Sequence, residues 1–94
     1  MLQPDPILDF IFADHALFEM GRRGISEVQV TEVLANPEQS EMVRAGRVVY
    51  QARLLLGQPP KTYLLRVFVD IDRHPPEVVT AYRTSKIEKY WRQP

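Results

Sequence analysis

The sequence predicts an α+β domain: two short N-terminal helices, then a four-stranded antiparallel meander with the helices on one face, then a short C-terminal helix. Three observations predict it. Apolar residues recur with a helical period through Ala35, and with a period of two after Pro37. Short turns containing Gly or Pro separate the alternating segments, so successive strands join as hairpins. At 94 residues there is room for one domain, spanning 1–94, and for no second core.

The elements follow in order. Prolines 4 and 6 hold residues 1–9 extended, because each disfavours helix in the residue before it. Ile7 to Phe12 is an apolar hexamer that suits either a short strand or the lead-in to a helix. From Asp14 the pattern is helical: Ala13, Ala16, Leu17 and Met20 share a face, Asp14 is placed to cap, Arg22 and Arg23 occupy the last turn, and Gly24 follows as the stop. Ser26 and Gln29 then form a capping box, with Ile25 and Val30 placed as a hydrophobic staple across it. Val33 and Leu34 continue that stripe until Asn36-Pro37 ends it. The region 13–36 is therefore a helical pair bent into a corner by one glycine.

The sheet region is 40–84. Glu41 to Arg44 reads as a strand, and Ala45-Gly46 as a tight turn. In the next strand Val48, Tyr50, Ala52, Leu54 and Leu56 share a face, opposite Arg47, Gln51 and Arg53. Gly57 to Pro60 turns the chain. The third strand, Thr62 to Asp70, puts Tyr63, Leu65, Val67 and Val69 on one face and Leu64, Arg66 and Phe68 on the other. Val78 to Arg83 is the fourth. Thr84-Ser85 can cap a last helix from Lys86 to Trp91, in a tail (85–92) that is basic and aromatic. Ile87, Tyr90 and Trp91 have the i, i+3, i+4 spacing that docks a helix on a core.

Composition narrows the function classes. No apolar run approaches the roughly 20 residues that span a bilayer, and the N-terminal residues lack a signal-peptide pattern, so a cytoplasmic protein with no membrane partner is expected. Without cysteine, and with His15 and His74 at no ligand spacing, no metal site and no cofactor are expected. The net charge of zero conceals an asymmetry: residues 1–42 carry eight acids against Arg22 and Arg23, a balance of −6, and residues 43–94 carry +6. Such a split suits a basic binding face backed by an acidic one, or two halves that neutralise each other.

The side chains left to carry chemistry are His, Arg, Thr, Tyr and Lys. His15 opens the first helix and can shuttle a proton near neutral pH, or can simply sit on the surface. Arg66 interrupts an apolar strand, where a charge needs a partner or a ligand; a phosphate suits its planar fork, and Asp70 or Glu77 would serve as an ion-pair partner. Thr80, Tyr82 and Thr84 share one face of the last strand, with Arg83 on the other. Tyr82 can position a phosphate or stack a base. The tail, with Lys86, offers the cations and flat rings that single-stranded nucleic acid uses.

Asp14-His15-Ala16, Met20 to Ser26 and Val33 to Pro37 resemble the opening of the DUF4258 family, and Val67 to Asp70 and Val78 to Lys86 resemble its closing strands and tail. That family has been grouped with small bacterial toxins of the RelE/BrnT type and related metal-independent ribonuclease domains. The resemblance implies a RelE/barnase-like fold with a curved sheet, and RNA cleavage by side chains on that sheet. It implies His15, Arg66, Tyr82 and Thr80 as catalytic residues and Arg23, Arg83 and Lys86 as RNA-binding ones. RNA and a protein antitoxin are the implied partners, for a chain that is a monomer or homodimer. The alternative is a non-catalytic protein-binding module of the same fold. Its motivation is the zero net charge, since phosphate neutralisation dominates affinity for nucleic acid. The enzyme reading requires that His15, Arg66 and Tyr82 converge in space.

Overall fold

A computed structural model describes residues 4–93. Its elements are β1 (Ile11–Phe12), α1 (Asp14–Arg23), α2 (Glu27–Ala35), β2 (Gln39–Arg44), β3 (Arg47–Leu56), β4 (Lys61–Asp70), β5 (Glu77–Thr84) and α3 (Ile87–Tyr90). The expected meander is present as β2 to β5, each strand antiparallel to the next. The sheet is nevertheless mixed and five-stranded, in the order β1-β5-β4-β3-β2, which corrects the four-stranded antiparallel expectation. The added strand comes from the apolar hexamer. Ile11 and Phe12 lie parallel to Glu77 and Val78, held by Ile11 N–H to the Pro76 carbonyl (2.9 Å) and Ala13 N–H to the Val78 carbonyl (3.0 Å). Two residues are too few to show a period of two, so the pairing left no pattern to read. Of the expected extended segment at 1–9, residues 1–3 lie outside the described residues, and 4–9 form neither helix nor strand.

The helical corner forms for the reasons its sequence suggests. Ser26 Oγ accepts from the Gln29 N–H, and Gln29 Oε1 accepts from the Ser26 N–H, both at 3.1 Å. Gly24 takes the left-handed conformation, φ 68°, that closes α1 and frees the chain to turn. The start of α1 differs from expectation: Ala13 is the capping residue and Asp14 lies inside the first turn, where its charge faces the positive end of the helix dipole.

The core lies between these helices and one face of the sheet. Ala16, Met20, Ile25, Val30, Val33 and Leu34 pack against Val48, Tyr50, Ala52, Leu65, Val67 and Val69, with Val78 and Ala81 from β5. Each large side chain so buried contributes about 1.5–3 kcal/mol. A bulge in β5 shifts the register between Phe68 and Val69, which is why both Val78 and Ala81 reach this face across an odd interval. The two charge halves meet in two ion pairs, Glu38 with Arg53 (2.8 Å) and Glu41 with Arg92. No helix among the described residues is long and apolar enough to cross a membrane.

Candidate functional site

The second face of the sheet carries no helix of the N-terminal pair. Pairing of Arg66 with Gln51 on one side and Tyr82 on the other puts three polar side chains in a row across β3, β4 and β5. Phe68 pairs with Thr80, so both lie in the next row of the same face. The row is connected. Arg66 Nε donates to Gln51 Oε1 at 3.0 Å, and Arg66 Nη1 donates to the Tyr82 hydroxyl at 2.6 Å. The guanidinium is enclosed by rings: its carbon lies 4.3 Å from the Tyr90 centroid, 5.5 Å from Phe68 and 5.7 Å from Tyr82. Phe68 and Tyr82 stack at 6.0 Å, and Tyr90 meets Tyr82 edge-on at 6.1 Å.

Arg66 is partly buried, makes no ion pair with a carboxylate, and its Nη2 makes no hydrogen bond among the described residues. Most other guanidiniums differ. Arg22 and Arg23 pair with Glu19, Arg47 and Arg73 with Asp70, Arg53 with Glu38 and Arg92 with Glu41. Arg66 therefore holds a positive charge in a ring-lined recess with hydrogen-bond donors to spare, a setting suited to an anion.

The C-terminal segment completes the site by crossing this face from β5 to β2. Tyr90 covers Arg66, Trp91 stacks over Arg53 at 4.1 Å, and Arg92 ends beside Glu41. Its helix is shorter than the Lys86 to Trp91 expected: only Ile87–Tyr90 is helical, and Thr84 Oγ1 accepts from the Lys86 N–H before it starts. None of Ile87, Tyr90 and Trp91 joins the helix-side core that their spacing suggested.

The two phenols are driven apart. Burial pushes Tyr82 up, against the opposing hydrogen bond from Arg66. Hydrogen bonding from the Tyr82 hydroxyl holds Tyr90 below the ordinary phenol range, aided by the charges of Lys89 and Arg66.

The structure brings together only some of the residues singled out in the sequence. Arg66 and Tyr82 are in contact, and Thr80 lies on their face. His15 does not join them. It is exposed in the first turn of α1, whose next residue, Ala16, is buried against the other face of the sheet, and it makes no hydrogen bond or ion pair among the described residues. The required convergence of His15, Arg66 and Tyr82 fails, because α1 lies on the wrong side of the sheet. Arg23 reaches around the outer edge of β5, donating to the Ala81 carbonyl at 2.8 Å and to Thr80 Oγ1 at 3.3 Å. Arg83 points to the helix side and donates to the Gly24 carbonyl at 3.0 Å. Lys86 is exposed at the start of α3. Gln39, Gln51 and Tyr90 were not foreseen in the site; the signal available was the position of Gln51 on the same face as Arg66, one strand away.

No three His, Asp or Glu side chains among the described residues are grouped so as to hold a metal ion. Fold and site together define an α+β domain with an arginine–tyrosine cluster on the face of its sheet opposite the N-terminal helices, beneath the C-terminal segment. The chain belongs to the DUF4258 family, described as a domain of unknown function, whose model matches residues 12–83. That match includes Arg66 and Tyr82 and ends before Tyr90. No curated protein and no solved structure matches the chain.

Proposed function

We propose that this protein is a metal-independent endoribonuclease of the toxin type with a revised site: the set that required His15 fails, and Tyr90 takes its place beside Arg66 and Tyr82. The observation that carries the reading is the Arg66 guanidinium, held between two tyrosines and, among the described residues, with no carboxylate partner and with no hydrogen bond at Nη2. Membership of the DUF4258 family supports it in so far as that family has been grouped with RelE/BrnT-type toxins and related ribonuclease domains, which place such groups on the sheet. Tyr90, with the lowered phenol, takes the proton of the 2′-hydroxyl. The 2′-oxygen attacks phosphorus, and the bond from phosphorus to the 5′-oxygen breaks. Tyr82 gives its proton to that leaving oxygen and Arg66 holds the phosphorane charge. Arg66 Nη1 donates to the Tyr82 oxygen and so stabilises the phenolate that remains once that proton is given.

Incubation with single-stranded RNA in EDTA tests this. Products ending in 2′,3′-cyclic phosphate are expected, with no cleavage of DNA, which lacks the nucleophile. The rate should rise with pH as Tyr90 ionises, below the ordinary value of 10.0, and fall as Tyr82 ionises, above it. Cleavage that survives Arg66→Ala rules the site out. His15 lying away from the site favours a second reading, a non-catalytic protein-binding module. Growth arrest on expression alone, relieved by Arg66→Ala, selects the enzyme; normal growth together with a tight protein complex selects the module.

A further inference from the structure

Two glutamines underlie the recess. Gln51 is 3% exposed and Gln39 is 8% exposed, on strands where glutamine ordinarily faces water. Every polar atom of both amides is used. Gln51 Oε1 accepts from Arg66 Nε at 3.0 Å, and Gln51 Nε2 donates to Gln39 Oε1 at 2.8 Å and to the Tyr90 carbonyl at 3.2 Å. Gln39 Nε2 donates to the Arg92 carbonyl at 2.7 Å, and Gln39 Oε1 accepts from the Arg92 N–H at 3.1 Å. The orientation of Gln51 is fixed by this set: a flipped amide would face Arg66 with its NH2 and leave two donors opposed.

We propose that Gln51 is a positioning residue that couples the Arg66 fork to the C-terminal strap, so that seating of residues 90–92 and aim of the guanidinium at a phosphate are one event. One amide holds both partners. Its oxygen holds Nε and with it the plane of the guanidinium, and its nitrogen holds the Tyr90 backbone, which places that ring over the same guanidinium. A fully satisfied buried amide network has one low-energy arrangement, because any partial release leaves a donor or acceptor stranded. Loss of the strap therefore loosens Arg66, and loss of the Arg66 contact loosens the strap. The phosphate role of Arg66 rests on the ribonuclease reading; the mechanical coupling does not.

The test compares Gln51→Leu with Gln39→Leu by two measurements. One is binding of a single-stranded oligonucleotide with 2′-O-methyl sugars, which cannot be cleaved. The other is tyrosinate absorbance against pH. In Gln51→Leu the Tyr90 midpoint should move up towards the ordinary phenol value, and affinity should fall about tenfold, the scale of a lost hydrogen bond to a charged group. Gln39→Leu should move the same midpoint with a smaller loss of affinity, because the bond from Arg66 to Gln51 remains. A folded Gln51→Leu with either quantity unchanged overturns the proposal, as do equal affinity losses in the two variants. Should Gln51→Leu not fold, the isosteric Gln51→Glu serves. Its carboxylate pairs with Arg66 and cannot donate to Tyr90, so both changes are again expected, and wild-type values overturn the proposal. If the wild-type chain binds no oligonucleotide while the tyrosine midpoints respond as stated, the RNA reading fails and the coupling stands.

Discussion

The two faces of this sheet are built from the same three strands and behave as different materials. On the helix side Val48, Tyr50, Ala52, Leu65, Val67, Val69 and Ala81 form an apolar layer whose one ionisable group is a phenol. On the other side, one residue along each strand, Gln51, Arg66 and Tyr82 form a chain of directed bonds under a strap of backbone. The apolar layer tolerates approximate fit and is strong because contact area is large. The polar layer depends on each atom finding its partner, and contributes shape and charge more than stability. The alternation that makes a strand thus places stability and candidate chemistry back to back, a few ångströms apart.

Substitutions at neighbouring positions sharpen this contrast. The largest effect on stability is expected from Leu65→Ala, which empties a site 1% exposed and should cost about 2–5 kcal/mol in urea unfolding. At the next residue, if the proposed ribonuclease reading holds, Arg66→Ala lowers the rate of RNA cleavage by about a hundredfold to a thousandfold, as for removal of a donor to developing charge. Its unfolding midpoint should change far less than that of Leu65→Ala. A large loss of stability at Arg66 with little loss of rate would erase the distinction between the faces.

Acid should act through pairs at the sheet's rim. The Arg47 guanidinium, 2.6 Å away, holds the Asp70 carboxyl below its ordinary value, and Arg53 does the same for Glu38. A carboxyl ionised more readily in the folded chain stabilises it above its ordinary value, and that stabilisation is lost as pH falls through the lowered one. Stability should therefore decline as pH drops below about 4, and Asp70→Asn should flatten the decline. A smaller effect, about 1 kcal/mol, is expected for Ser26→Ala, which removes the cap of α2. The smallest belongs to His15→Ala, which should leave cleavage within about twofold of wild type; a large loss would return the first helix to the chemistry.

How far these features could be read from sequence follows from how local they are. The capping box, the glycine stop and the period-two strands each depend on residues within one turn or one strand, and all are present. Alternation assigns Arg66 and Tyr82 each to a face of its own strand; that the two faces are one depends on the strand register and on the bulge in β5. The two-residue strand β1 and the burial of Gln39 and Gln51 depend on contacts between distant segments. A glutamine in a strand looks solvated until a strap 39 residues further on covers it. Tyr90 misled for a related reason: a spacing of i, i+3, i+4 says that a helix has a sticky side, and it does not say which face of the sheet that side meets. His15 failed on the same ground, because a helix period carries no information about which side of a sheet the helix takes.

Arg23, whose guanidinium caps the Ala81 carbonyl beyond the end of β1, has a colloidal consequence. β1 pairs only with Glu77 and Val78, so the rest of β5 would otherwise offer an open row to a passing strand. A bulky cation lying across that row makes the border of the sheet unwelcoming to strand addition. The opposite border, β2, has Met42 and Val43 exposed. The molecule is thus guarded along one margin and adhesive along the other, and crowding should act on it from one side.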